Sequence, residues 1–267
     1  MRLIIEDKSK QEIFVAIFQL LKNWSSHIIM HFETERLYIQ SMDKSHICLA
    51  DIEINNKWFS SYDCSSNNNI SVDSNQFAVL MNYALKHDSV ELKFEDEVAP
   101  EKLYMNFLNE KEKKGSFDHF FELNLIDVEE DGLGIPDVEY DVEFTIDSKK
   151  LVDVLSELFI VGQDLNITCN DNIVELNSSG DSAKLKVNIP VSELNEYAIS
   201  EEYVVSEGQN QGLNISFSLS HICKMCATVK LGSMINVSLS SEYPMSLQYN
   251  LGDESKVVFY IAPKVTE

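Results

Sequence analysis

The sequence predicts an α+β fold built twice: two similar halves, each with two helices packed on antiparallel sheets. Three observations carry this. Four stretches place apolar residues at helical spacing. Short runs between them alternate apolar and polar residues, as half-buried antiparallel strands do. The helical stretches also recur at a near-constant interval, the mark of an internal repeat.

In chain order, the first helical stripe is Ile13, Phe14, Ile17, Leu20, Leu21 and Trp24. Alternating runs at 37–40 and 46–54 follow. Phe77, Leu80, Met81, Ala84 and Leu85 form the second stripe, and runs at 90–94, 103–107 and 120–125 close the first half. Leu151, Val154, Leu155, Leu158 and Phe159 make the third stripe, with the same i, i+3, i+4, i+7, i+8 pattern as the second. Runs at 185–189 and 213–217 precede a fourth stripe of Ile222, Met225, Cys226 and Val229. Runs at 235–239, 245–249 and 257–261 end the chain. Ser9, Ser74, Ser148 and Ser220 stand where N-caps are expected. The first and third stripes lie 138 residues apart, the second and fourth 145. The seam falls at 127–140, which is acidic, holds Gly and Pro, and has neither period. The expected domains are therefore 1–126 and 141–267, joined by a connecting loop at 127–140.

The 267 residues carry a net charge of −23, and two of the basic residues, Arg2 and Arg36, are arginines. Such a surface does not spread over nucleic acid, because affinity there comes from cations neutralising phosphates. The four helical stretches together carry +4, leaving −27 on the rest. Any nucleic-acid role must therefore confine the lysines to one region; if the polar faces of the helices line one surface, that surface can sit near phosphates while the remainder repels them. No window is long and apolar enough for a membrane span, and the N-terminus turns polar too soon for a signal peptide. Five cysteines at unpatterned spacing fit a reducing, intracellular setting.

Catalytic and metal patterns fail on chemistry. There is no phosphate-cradling Gly-rich loop and no nucleophile elbow. Ser41, Asp43, Ser45 and His46 crowd into six residues, whereas triad members converge from distant segments, so they read as a turn. His221, Cys223 and Cys226 offer three soft ligands on one helix, but tetrahedral zinc needs a fourth. Asp127, Glu129 and Asp131 imitate the start of a calcium loop, yet Val138 occupies the position that needs a bidentate carboxylate. We expect no catalytic residue, no metal and no cofactor: a binding or scaffold protein, not an enzyme.

Three segments carry a resemblance. They are Ile39-Gln-Ser-Met-Asp-Lys-Ser-His-Ile-Cys-Leu49, Leu133-Gly-Ile-Pro-Asp-Val-Glu-Tyr140 and Phe259-Tyr-Ile-Ala-Pro-Lys-Val265. In order and position they resemble the eukaryotic-type sliding clamps of the proliferating cell nuclear antigen (PCNA) family, and this chain is similar to a divergent, viral or protist member. The resemblance implies a DNA clamp fold that forms a ring. Three subunits would close head to tail around duplex DNA, with helices lining the hole. The strand near 117–125 of one subunit would join that near 183–189 of the next. It implies a processivity factor of DNA replication and repair that tethers DNA polymerase and other proteins carrying a PIP-box motif, a glutamine with apolar and aromatic anchors. A clamp loader would open the ring. The expected compartment is the nucleus or a cytoplasmic viral replication factory, with no membrane partner. The alternative is a clamp-fold protein in a heteromeric checkpoint-type ring, or a viral transcription factor.

Carried over by position, the peptide pocket would be Met42, His46, Ile47, Leu49, Leu133, Ile135, Pro136, Pro244, Tyr260 and Ala262. The DNA-facing cations would be Lys10, Lys22, Lys86, Lys149, Lys150, Lys224 and Lys230. Several lining positions that are basic in the family are instead Gln11, Glu12, Val79, Asn82, Asp153, Ser156 and Ala227. Asp171 stands where the family has a modifiable lysine, which leaves no ubiquitin acceptor there. Ser218 and His221 depart from the family's small and aromatic residues beside the pocket. Val15 and Phe18 make the first helix apolar on more than one face, implying extra packing or a changed oligomeric state.

Overall fold

The computed structural model describes residues 1–95, 101–109, 115–128, 132–203 and 212–264. The first repeat runs β1 (Arg2–Ile5), α1 (Lys8–Leu21), β2 (His27–Phe32), β3 (Arg36–Met42), β4 (Cys48–Asn55), β5 (Ser61–Asp63) and β6 (Asn68–Asp73). It continues with α2 (Ser74–Met81), β7 (Ser89–Phe94), β8 (Lys102–Leu108) and β9 (His119–Asn124). The second runs β10 (Val142–Asp147), α3 (Ser148–Val161), β11 (Asp164–Cys169), β12 (Ile173–Ser179), β13 (Lys184–Pro190), β14 (Glu196–Ile199) and β15 (Leu213–Ser218). Then come α4 (Leu219–Met225), β16 (Met234–Leu239), β17 (Met245–Gly252) and β18 (Ser255–Ile261). Among the described residues both repeats share one order: strand, helix, five strands, helix, three strands.

The sheets repeat as well. In the first repeat β5-β1-β7-β8-β9 lie side by side, as do β6-β2-β3-β4. In the second, β14-β10-β16-β17-β18 and β15-β11-β12-β13 follow the same two orders. The pairing is antiparallel, as the alternating runs predict: Leu92 of β7 faces Leu3 of β1 and Met105 of β8.

The chain divides into two compact units. The first gathers Met1–His46, Ala50–Leu133 and Leu251–Val257; the second gathers Ile47–Leu49, Gly134–Asn250 and the chain from Val258 onward. In the first unit α1 and α2 meet through aromatic rings. Phe14 and Phe18 sit 4.9 Å apart, and Phe18 reaches Phe77 of α2 at 4.6 Å. Edge-to-face pairs of this kind add to the area they bury. Val15 and Phe18 are both buried, so the wide apolar face of α1 is packing within its own unit. Trp58 is fully buried and donates Nε1–H to Leu251 O at 3.1 Å. Leu151, Leu155, Leu165, Ile222 and Val237 form the corresponding core of the second unit.

The N-caps differ from expectation. Asp7, Asp73 and Asp147 cap α1, α2 and α3, each accepting from the amide three residues on, at 2.9, 2.7 and 2.8 Å. Ser9, Ser74 and Ser148 lie inside the first turn, and Ser220 lies inside α4, whose cap position is Ser218. A carboxylate at this position accepts the orphan amide and also favours the positive end of the helix dipole. Helix α4 ends at Met225, so Val229 is outside it. Of the Ser-Met-Asp-Lys-Ser-His stretch, Ser41 and Met42 end β3 and Asp43–His46 turn toward β4, with His46 at a φ of 57°.

We predict that Asp7→Ala, Asp73→Ala and Asp147→Ala each lower unfolding free energy by about 1 kcal/mol in urea titrations, while Ser9→Ala changes it by less than about 0.5 kcal/mol.

Candidate functional site

The segment after β3 is shaped by its own side chains. The Asp43 carboxylate accepts from Ser45 N at 3.1 Å and from the Ser45 hydroxyl, and His46 N donates to Asp43 O at 2.9 Å. These bonds close the turn. In the second unit, Ile47 O accepts from Ala262 N at 3.1 Å, which sets the residues after the turn against those that follow β18. Of the ten pocket candidates, Met42, Leu49, Ile135 and Tyr260 are half-buried, and His46, Ile47, Leu133, Pro136, Pro244 and Ala262 are exposed. None belongs to a core.

The connector has no regular secondary structure among its described residues, so its placement depends on individual bonds. Ser71 holds its start: Ile126 N donates to Ser71 O at 2.9 Å, and Ser71 Oγ donates to Val128 O at 3.2 Å. Gln40 of β3 holds Leu133. Its Oε1 accepts from Leu133 N at 2.6 Å, and its Nε2 donates to Leu133 O at 3.0 Å. Gln40 Nε2 also donates to Tyr38 Oη at 3.0 Å, and Tyr38 Oη donates to Asp51 Oδ1 at 2.7 Å. Burial pushes the Asp51 carboxyl above the usual carboxylate range, and Glu53 adds to that shift. The bond from Tyr38 opposes it. Burial, with the bond to Asp51, likewise raises the Tyr38 phenol. Gln40, Tyr38 and Asp51 were not singled out by the sequence. The segment that carries the family resemblance includes Gln40, but its bond to Leu133 spans 93 residues and leaves no periodic trace.

The lysines differ in availability. Lys86, Lys149, Lys150, Lys224 and Lys230 are exposed, and Lys22 is half-buried at the end of α1. Lys10 is engaged: its Nζ lies 2.8 Å from Asp253 Oδ2 and 2.8 Å from Trp58 O. Lys149 and Lys150 stand in the first turn of α3, where cations oppose the helix dipole. Gln11 faces inward, at 1% exposed, and its Nε2 donates to Ile5 O and Asp88 O. A cation there would be buried. Glu12, Val79, Asn82, Asp153, Ser156 and Ala227 are exposed.

Residues 4–132 match the family model for the N-terminal domain of proliferating cell nuclear antigen, and residues 134–264 match that for its C-terminal domain. The chain belongs to the proliferating cell nuclear antigen family. The proliferating cell nuclear antigen of Chaetomium thermophilum is a relative 29% identical over 232 residues, which cover 85% of each chain. Membership makes the two-repeat architecture a clamp fold and the protein a sliding clamp of DNA replication and repair. The family's clamps are not enzymes.

The remaining side chains have local roles. His221 Nδ1 lies 2.8 Å from Ser218 Oγ. Burial pushes the Cys169 and Cys226 thiols up to about 12, and it raises Cys223 as well. No disulfide joins the five cysteines, and among the described residues no group of His, Cys, Asp or Glu is placed to hold a metal ion. Glu129 and Asp131 of the calcium-like pattern lie outside the described residues. Asp171 is exposed. No helix among the described residues is long and apolar enough to cross a membrane.

The raised carboxyl of Asp51 sets a pH dependence. Protonation is favoured in the folded state, so its contribution to stability is greatest below the usual carboxylate pKa and declines as pH rises through the raised value. Asp51→Asn keeps an acceptor for Tyr38 and removes the charge. It should raise the melting temperature at pH 8, with the gain shrinking as pH falls through the raised value and smallest below about pH 4. A pH-independent difference would contradict the assignment.

Proposed function

We propose that this chain is a processivity clamp that closes head to tail, as three copies, into a ring around duplex DNA. Its clamp domains are 1–126 and 141–267, joined by the connector 127–140. The observation that carries the ring is a pair of sheet ends. β9 and β13 are outermost in their sheets, and both carry apolar side chains that are not buried. Phe120 on β9 is 68% exposed and Phe117, just before it, 76%. Along β13, Leu185, Val187 and Ile189 alternate with exposed residues and none is buried. A long edge strand with uncovered apolar residues is a template for pairing with another chain. One β9 edge meeting the β13 edge of the next copy is a heterologous contact, which generates a ring when the rotation closes.

The helix lysines would then make weak, sequence-independent contacts to phosphates, which suit sliding. Lys86, Lys149, Lys150, Lys224 and Lys230 supply most of that charge, with Lys22; Lys10 is already paired and supplies less. The acidic remainder keeps the outer surface off DNA. Partners, DNA polymerase among them, insert a motif of one glutamine with apolar and aromatic anchors into a pocket of Met42, His46, Ile47, Leu49, Leu133, Ile135, Pro136, Pro244, Tyr260 and Ala262. Exposed and half-buried apolar residues beside a loop suit capture of aromatic anchors. Tethering raises the concentration of polymerase at the primer end. Loading requires a clamp loader, and the protein acts where DNA is replicated, in the nucleus or a viral replication factory. The sparse cations on the exposed helix faces leave a second reading, a heteromeric checkpoint-type ring or a viral transcription factor.

Light scattering across a concentration series decides between them. We expect three times the chain mass of 30.5 kDa, and we expect Phe120→Asp to shift the protein toward monomer. A wild-type protein that stays monomeric at every concentration would overturn the homomeric ring. We further expect Tyr260→Ala and Ile135→Ala to abolish binding of a peptide bearing the motif while the ring mass is unchanged.

A further inference from the structure

We infer that Gln40 is the positioning residue that fixes the connector for partner capture, through a side-chain pairing with Leu133 oriented by Tyr38 and Asp51. The inference rests on the peptide-pocket reading above. It starts from a chemical match. A primary amide carries a donor and an acceptor side by side, and so does the backbone of one residue facing it. Gln40 satisfies both the N–H and the C=O of Leu133, as a residue of a neighbouring strand would. The connector is thereby fastened to β3 at one point without joining the sheet. Leu133 stays 47% exposed and available to an incoming anchor.

The orientation of the amide is set from behind. Burial and the neighbouring Glu53 charge act on Asp51, which accepts the Tyr38 hydroxyl proton. With its proton committed, Tyr38 Oη presents a lone pair, which takes the second N–H of Gln40. That leaves Gln40 Oε1 facing Leu133 N and no freedom to flip. Glutamate cannot donate to Leu133 O, and asparagine is one methylene too short to span the gap. Held this way, the connector has already lost the conformational freedom that a free loop would lose on binding.

Two measurements on the assembled wild-type protein and its variants test this. One is affinity for a synthetic peptide with the glutamine, apolar and aromatic anchors. The other is hydrogen exchange of the Leu133 amide in the free protein, which a merely structural role of Gln40 would leave protected. We expect Gln40→Leu and Gln40→Asn to weaken the peptide about tenfold, the scale of one or two lost hydrogen bonds, and to speed Leu133 exchange. Tyr38→Phe should produce a smaller loss of the same kind, with ring mass unchanged throughout. Wild-type binding of the peptide, with unchanged affinity or unchanged Leu133 exchange in both Gln40 variants, overturns the role of Gln40 alone. Failure of the wild-type protein to bind the peptide overturns the pocket reading and this inference with it.

Discussion

The contact between α1 and α2 through Phe14, Phe18 and Phe77 constrains the rest of the first unit. Those rings are fully buried, so the two helices must lie side by side with their inner faces on the sheets. Each helix then has one face left for solvent. The strands beneath inherit their register from the same burial, because a one-residue slip would turn Leu3, Leu92 and Met105 outward together. Polar groups follow where the aromatic seam puts them. Gln11, carried inward by α1, becomes a cross-link between the end of β1 and the start of β7.

Charge is sorted by the same geometry. None of the four helices among the described residues has an acidic residue in its first turn, in a chain with 44 Asp and Glu. The capping aspartates stand one residue earlier and are engaged with backbone amides. Lys149 and Lys150 accept an unfavourable place in the helix dipole. A sequence selected for stability alone would put carboxylates there.

Much of this was readable from residues alone, and the misses have physical causes. The helices and the alternating strands appeared because one buried face imposes a period. β2 hid because both its faces are largely buried and its His-Ile-Ile-Met-His-Phe run does not alternate. β6 hid because its first residues are asparagines, and its strand character comes from pairing with β2. The caps were misread because Asp-Ser occurs at both 73–74 and 147–148, and either residue can accept an amide. At the site, the family segments pointed to surface residues. The support from Gln40, Tyr38 and Asp51 depends on hydrogen bonds between distant segments, which composition and spacing do not encode.

The composition of the first unit has a consequence for biosynthesis. Its first strand, β1, lies between β5 and β7, and the Met1 amine donates to Phe94 O. Trp58 and Lys10 find partners at Leu251 and Asp253. The first unit therefore lacks part of its own core until the segment from Leu251 to Val257 has emerged from the ribosome. Such long-range closure slows folding and leaves apolar surface uncovered meanwhile. The nascent chain cannot mature as two successive beads, and a chain cut just before Leu251 would hold two incomplete halves rather than one good one.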